Sequence, residues 1–540
     1  MVRTERLVDE AVLEPSTDPG IVESYLEDAS GAAPGRAAGL LRISDAAQAA
    51  TFLRRTANRA LPVLFQAARS SLTGGAIPRG EIVLSVERMT DIGAVERHPG
   101  GARIRAQAGV RLVDLQYALR GQGFYFPPVP TYQEAMVGGV LSTNAGGAAS
   151  FKYGVTRDWV HGLDLLLFNG ERLRIERGQA VARPGESFRV ELTDGRRIEA
   201  PVPTYRLPPL KKISAGYHAS DPLDLVDLFV GSEGTLGLIL EATLDLVPLP
   251  PSLLTGLAFL DERRAALELS ASMRLAAERA RVNRDPLGPD VRSIELLDRN
   301  SLDLLIESDR HHRLRIRVPE RSHAALLFEL ELPSRTSNDE AQAIVSGWLT
   351  GTATGEEGPI PRLLRLLDDH VSPDGLELAF PEDDSRRRAL GQVREAVPLR
   401  VSEILSERCR QHPGIQKVGG DLIVPFDRLG EMVEIYEQGF RRRGLEFAIW
   451  GHVSDGNLHP NAIPRNVDEV RGGFESMLEF ADAATQRGGA PLSEHGVGRS
   501  SIKQEILRRF LGTDALSQMR AIKRAFDPQW RLAPGVLLAE

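Results

Sequence analysis

The stretch VGGVLSTNAGGAASFKYG, residues 137–154, sets two glycine pairs, Gly138-Gly139 and Gly146-Gly147, around Ser142, Thr143 and Asn144. It closes a longer cluster that opens with PPVPTYQEAM at 127–136. Upstream, AARSSLTGGAIPRG (67–80) follows the apolar run LPVLF (61–65) and offers the hydroxyls of Ser70, Ser71 and Thr73 beside Gly74 and Gly75. Downstream, FVGSEGTLGLI (229–239) lies between two apolar runs. Glycine permits positive φ and close backbone approach, and successive exposed N–H groups make a nest for an anion such as phosphate. Neither of the first two clusters is the G-x-G-x-x-G of a Rossmann turn or a Walker loop. An ordinary turn between strands also accounts for 67–80 taken alone. Three such clusters suit a long ligand, a diphosphate with a flat ring at one end.

Around these clusters the texture alternates. EIVLSV (81–86), ARIRAQAGV (102–110) and GLDLLLF (162–168) read as strands bounded by Gly and Pro. SDAAQAATFLRRTANRA (44–60) reads as a helix with Ser44 as N-cap. Alternation of this kind means an α/β or α+β domain. VPLPPS (247–252) marks a boundary. Beyond it, helical segments at 261–282 and 385–411 interleave with the strands RSHAALLFELEL (321–332), DLIVPF (421–426) and EFAIWGH (446–452). TATGEEGP (352–359) reads as a surface loop.

Composition excludes several classes. The 540 residues, 42% hydrophobic and 26% charged, are ordinary for a globular chain of two to four domains. A net charge of −8 argues against sequence-independent nucleic-acid binding, which needs a basic footprint. The single cysteine, Cys409, rules out an intrachain disulfide framework and a Cys-ligated iron–sulfur cluster. Only six of the 66 basic residues are Lys, which makes each of them worth a look. The polar, acidic N-terminus has no apolar core of a signal peptide, and no run is long and apolar enough to span a bilayer. A cytoplasmic location is expected, with peripheral membrane attachment left open.

The third signal lies near the C-terminus. WGHVSDGNLHPN (450–461) places His452 and His459 across a glycine turn, and LSEHGVGRSSIK (492–503) supplies Glu494 and His495. Two imidazoles and a carboxylate make an N/N/O set with open positions, the pattern of a catalytic divalent site.

The glycine clusters and these motifs resemble the vanillyl-alcohol oxidase/p-cresol methylhydroxylase superfamily of FAD enzymes. The likeness is to its D-2-hydroxyacid branch of D-lactate, glycolate and D-2-hydroxyglutarate dehydrogenases, and it runs from YLEDASG (25–31) to APG (533–535). It implies an α+β fold: a helical lead-in over 1–40, then an FAD-binding domain of two α/β subdomains over 41–250. A substrate cap with an antiparallel sheet follows over 251–490, and a helical C-terminal segment, 491–540, packs back on the FAD domain.

The resemblance also assigns roles. Arg69, Ser70, Ser71, Leu72, Thr73, Gly74 and Gly75 would wrap the pyrophosphate. Pro130, Gly138, Gly139, Ser142, Thr143, Asn144 and Gly147 would line the FAD, and Glu233, Gly237 and Leu238 would meet its nucleotide end. No His or Cys occurs in 67–75 or 127–154, so the FAD is expected to be non-covalent. By the same likeness His452, His459 and Glu494 ligate a divalent metal (Zn, Mn or Fe) and His495 is the base. Asn461 faces the substrate, Arg394 binds its carboxylate, and Asp455 and Asn457 shape the turn. The metal would acidify the substrate hydroxyl, His495 would take its proton, and hydride would pass to flavin N5.

The chain departs from the family in three places. Ser454 stands where relatives have Gly, and Ala533 replaces the Asn of L-N-P-G. Gly419 occupies the place of the Lys that binds the distal carboxylate in D-2-hydroxyglutarate enzymes. Lys503 and Lys523 match family positions and are read as helix-surface residues. The expected activity is oxidation of a small D-2-hydroxy acid such as D-lactate. Electrons would pass to a separate iron–sulfur protein, cytochrome, quinone or electron-transfer flavoprotein, and a homodimer is allowed. Glycolate or D-2-hydroxyglutarate dehydrogenases, an oxygen-using alcohol or aldonolactone oxidase, and a flavin-free metal hydrolase are the alternatives.

Overall fold

The structure of the chain, a computed structural model, describes residues 2–10, 13–127, 130, 132–352 and 357–539. Residues 128, 129 and 131 of the long glycine cluster, and 353–356 of the loop expected at 352–359, lie outside the described residues. The fold is α+β. Two units divide the chain, Met1–Gly147 with Gly154–Leu249 and Ala490–Glu540, and Ala148–Tyr153 with Pro250–Gly489.

In the first unit, Val2–Glu5 is a strand where a helical lead-in was expected. It inserts in the main sheet, antiparallel to Arg172–Glu176 and parallel to Ser187–Glu191. Its β-branched Val2 and Thr4 favour an extended backbone, and four residues are too few for a helical repeat to show. Among the described residues of this segment, helix appears at Pro19–Val22, where Asp18 accepts from Gly20 N, and continues as a 3-10 turn over Glu23–Tyr25. Among the described residues the main sheet has nine strands, with Leu238–Pro248 paired to both Val160–Leu166 and Gly101–Gln107.

A smaller sheet orders Gly39–Arg42, Ile82–Ser85 and Val63–Gln66, all parallel. The helix Ala46–Ala57 buries Ala49, Ala50, Phe52 and Leu53 in a core shared with both sheets through Ile82, Leu84, Leu166 and Leu238. Its N-cap is Asp45, whose side chain accepts from Gln48 N at 2.9 Å, and not Ser44. Ser44 bonds the Gln48 side chain one residue earlier, so the pair divides the work of a capping box.

The C-terminal helix Ser501–Phe526 breaks at Gly512, which takes φ +81. Lys523 on it is buried and not on the surface: its ammonium donates to the Asp527 carboxylate and to the carbonyls of Thr235 and Leu532. Lys503 is buried as well. A buried Lys is tolerated where a carboxylate and carbonyls replace its water. The chain's tail then runs beside Val63, with Val63 N donating to Arg531 O and Ala533 N to Val63 O.

In the second unit, the described residues form an eight-stranded sheet. Its order is Leu376–Ala379, Ser252–Leu260, Ala324–Leu332, Asp290–Asp298, Phe447–His452, Asn457–Ala462 and Val418–Gly419. Leu422–Ile423 also pairs with Asn457–Ala462, and every pair is antiparallel. The helix Asp384–Gln411 lays Val393, Ala396, Val397 and Val401 on this sheet against Leu257, Leu297 and Leu327. The segment 148–153 is tied to the same unit: Lys152 pairs with Asp290 and Glu331, and the Tyr153 hydroxyl donates to Glu331. No described helix is long and apolar enough to cross a membrane.

Candidate functional site

In the first unit, loop 67–75 leaves the parallel sheet after Gln66. Arg69 (φ 55) and Gly74 (φ +71) take left-handed conformations. Ser71 Oγ accepts from the backbone of Thr73 and Gly75, both at 3.2 Å. Among the described residues no acceptor meets the N–H groups of Arg69, Ser70, Leu72 or Gly74. Half-buried backbone donors left open in a turn of this kind are what an anion requires. The Leu72 side chain is exposed.

The helix Val137–Thr143 is used differently. A Cβ on Gly138 would stand 2.7 Å from Ala108 Cβ, so glycine there permits the helix to pack on Ala108. A Cβ on Gly139 would make an ordinary 3.4 Å contact with Ala67. The hydroxyls of Ser142 and Thr143, expected on the cofactor, donate to the carbonyls of Gly138 and Gly139. Asn144 ends the helix at φ 50, and its side-chain oxygen accepts from Arg157 N at 2.9 Å. Gly147 is buried, and Pro130 is half-buried between undescribed neighbours.

Glu233 is likewise engaged within the protein, its carboxylate accepting from Val497 N (2.9 Å) and Gly498 N (2.7 Å). Burial pushes its carboxyl up to about 7, against those two hydrogen bonds. Gly237 lets its strand approach the Leu166 carbonyl, 2.8 Å from where a Cβ would be, and Leu238 is core. The polar side chains of Ser142, Thr143, Asn144 and Glu233 thus bond within the protein, while loop 67–75 has backbone N–H groups without acceptors among the described residues.

The loop 492–498 belongs to the first unit and is pinned to 212–214. Ser214 N donates to Leu492 O, and Ser493 Oγ to Lys212 O. Glu494 divides its oxygens: Oε2 lies 3.0 Å from Lys212 Nζ, and Oε1 lies 3.6 Å from His495 Nε2. Lys212 is 0% exposed and its charge is matched by Glu494. Gly496 and Gly498 both take positive φ, which turns the loop beyond His495.

In the second unit, His452 and His459 lie on the paired strands Phe447–His452 and Asn457–Ala462, with ring centroids 5.5 Å apart. Gly456 makes the tight turn between them at φ +83, where a Cβ would strike the Val424 carbonyl. Ser454, in place of glycine, is accommodated: it is buried and its hydroxyl accepts from Ile294 N. His459 Nδ1 lies 3.7 Å from Asp421 Oδ1, and Asn457 donates to Asp421 and to the Leu422 carbonyl. Asn461 donates to the His459 carbonyl at 2.7 Å.

His452 is held on both sides. Its Nδ1 is 2.5 Å from Glu295 Oε1, and its Nε2 is 3.0 Å from Arg394 Nη2. Arg394 Nε in turn pairs with Glu295 Oε2 at 2.9 Å. Two residues in these groups escape sequence reading. Glu295 is a carboxylate flanked by the apolar Ile294, Leu296 and Leu297, a residue type seldom fully buried unless paired. Lys212 is one of the six lysines, beside the apolar Ile213, and that scarcity is the signal that points to it.

Comparison with known proteins accords with this geometry. The C-terminal domain of FAD-linked oxidases matches residues 262–537, over half of the chain, and an FAD-binding domain matches 37–176. The chain is similar to the glycolate oxidase subunit GlcD of Bacillus subtilis, 29% identical over 484 residues, 89% of this chain and 84% of that protein. It is similar to the D-lactate dehydrogenase of Archaeoglobus fulgidus, 26% identical over 502 residues, 92% of this chain and 90% of that one. The D-2-hydroxyglutarate dehydrogenase of Xanthomonas citri is 25% identical over 488 residues, 89% and 84% of the two chains.

Proposed function

The chain belongs to the FAD-linked oxidases and is an FAD-dependent oxidoreductase, and we propose that it oxidises a D-2-hydroxy acid of the D-lactate type to the 2-oxo acid. The observation that carries this reading is Arg394. Its guanidinium is mostly buried and paired along the Nε edge, while Nη1 meets no acceptor among the described residues. A planar guanidinium with one end open is the group that takes a carboxylate. The relatives named above bear the names of three 2-hydroxy acids, which supports the class.

Bound FAD supplies the two-electron acceptor, and the open N–H groups of Arg69, Ser70, Leu72 and Gly74 fit its pyrophosphate. Without a His or Cys in 67–75 or 127–154 the FAD is non-covalent, so acid precipitation would leave colourless protein. The imidazole and carboxylate donors proposed for the metal, His452, His459 and Glu494, are of the type that holds Zn, Mn or Fe, and His452 Nε2 would exchange its Arg394 Nη2 neighbour for the ion. A divalent ion there would lower the pKa of the substrate hydroxyl.

Of this chain's own groups, His495 would accept the hydroxyl proton, Asn461 would face the substrate and Arg394 would fix its carboxylate. With one cysteine there is no built-in cluster, so a separate protein or quinone takes the electrons. Gly419 carries no charge for a second carboxylate, which favours a monocarboxylic substrate. One observation favours a second reading, D-2-hydroxyglutarate: Lys417 Cε lies 4.0 Å from where a Gly419 Cβ would be. A dye-linked screen of D- and L-lactate, glycolate and D-2-hydroxyglutarate tests both. D-lactate is expected to lead, preference for D-2-hydroxyglutarate would shift the assignment to the Lys417 reading, and turnover of none would overturn it.

A further inference from the structure

We infer that Glu295 is a positioning residue for this oxidation, holding the Arg394 guanidinium and the His452 imidazole in one fixed arrangement. The inference rests on the proposed 2-hydroxy acid activity, in which Arg394 receives the substrate carboxylate.

Glu295 is 3% exposed, on the strand Asp290–Asp298 between the buried Ile294 and Leu296. That strand pairs Leu296 with Gly451 and Leu297 with Trp450, so the next step of the same register faces Glu295 toward His452. Strand pairing therefore sets this contact, independent of any long loop. The carboxylate serves two elements at once, with Oε1 on His452 Nδ1 and Oε2 on Arg394 Nε. Arg394 closes the triangle through Nη2, which lies 3.0 Å from His452 Nε2 and 3.3 Å from its Nδ1.

Three consequences follow from ordinary chemistry. A carboxylate on Nδ1 favours the imidazole with its proton there, which fixes the ring and leaves Nε2 as the lone-pair nitrogen. A guanidinium clamped along Nε and Nη2 keeps one orientation, so less rotamer freedom is lost when Nη1 meets a carboxylate. The negative charge of Glu295 also offsets the cost of holding Arg394 away from water.

The test compares Glu295→Gln, Arg394→Met and the double variant in the FAD-loaded full chain. Steady-state kinetics with D-lactate are read beside calorimetric binding of oxalate, a carboxylate that cannot be oxidised the same way. Glu295→Gln is expected to raise KM for D-lactate and Kd for oxalate by about 10-fold, with a smaller change in kcat. Arg394→Met is expected to lose more, and the double variant to lose less than the product of the two single losses, because part of what Glu295 does runs through Arg394. If Glu295→Gln does not accumulate as folded protein, Glu295→Asp is measured in its place; it keeps the charge but shortens the reach, and the same KM and Kd rise is expected at smaller size. Parent-like KM and Kd in the variant, or losses that multiply in the double variant, would overturn the inference while leaving the activity standing. A parent protein that neither oxidises any 2-hydroxy acid nor binds oxalate would instead remove the activity, and the inference with it.

Discussion

In loop 67–75, the left-handed residues Arg69 and Gly74 leave a row of backbone N–H groups without acceptors among the described residues. In Val137–Thr143, only seventy residues on, Gly138 lets a helix sit against Ala108, and the Ser142 and Thr143 hydroxyls fold back on their own helix. The two regions look alike in composition but send their side-chain hydrogen bonds to different places. Small residues announce that something approaches closely; whether it is a ligand or another part of the chain depends on where the hydrogen bonds go. Glu233 joins the two, its N–H on the Ser142 carbonyl and its carboxylate on the turn at Val497 and Gly498, which in turn touches Thr73.

The strongest way to break this contrast is at that junction. A Cβ on Gly498, at φ +57, would fall 2.4 Å from the Thr73 carbonyl and 2.3 Å from its hydroxyl. Gly498→Ala combines left-handed strain with overpacking and should cost about 3 kcal/mol or more, with FAD content falling alongside. Melting curves and the flavin absorbance of the purified variant check it; parent-like values would mean the loop and the turn are not in contact.

Next in size is a pH effect. Glu233 has its carboxyl raised from the ordinary 4.5 to about 7 by burial. A raised carboxyl binds its proton more tightly in the folded state, so the stability it confers is complete below about pH 4.5 and is lost as pH rises through about 7. The loss is on the order of 2–3 kcal/mol. Glu233→Gln should flatten the pH dependence of the melting temperature between about pH 5 and 8. An unchanged slope would place the titration elsewhere.

A paired substitution sharpens the contrast further. Gly138→Ala should destabilise the fold by about 1–3 kcal/mol through its clash with Ala108. Gly74→Ala, with no neighbour nearer than 3.9 Å, should cost only about 1–2 kcal/mol of left-handed strain yet weaken FAD binding more. FAD titration of both apoproteins separates them; equal ratios of FAD loss to stability loss would erase the distinction. The smallest effect is at Gly139, where an added methyl makes an ordinary contact. Gly139→Ala should gain up to about 1 kcal/mol from helix propensity, and a fall in FAD affinity despite that gain would return Gly139 to the ligand side.

Much of the fold is legible because its signals are local. The apolar runs at 61–65, 81–86 and 162–168 and the helices Arg263–Asn283 and Asp384–Gln411 announce themselves by period and propensity. Val2–Glu5 does not, because its identity as a strand is conferred by partners 167 and more residues away. The buried state of Lys523 depends on Asp527 and two carbonyls that composition cannot reveal. The same limit governs the candidate site. Motif spacing draws the eye to His452, His459, Glu494 and His495, but Glu295 meets His452 across 157 residues of sequence. Only strand register brings that carboxylate to the imidazole. Lys212 and Glu494 meet across 282 residues, again with no local pattern to mark the pair.

The proposed oxidation is tested most directly by anaerobic mixing of the FAD-loaded protein with D-lactate, followed at the flavin absorbance maximum. D-lactate is expected to bleach the flavin in a saturable reaction, L-lactate to do so far more slowly, and pyruvate to appear in step with the bleaching. Flavin that stays oxidised with both enantiomers and with every other 2-hydroxy acid in the screen would contradict it.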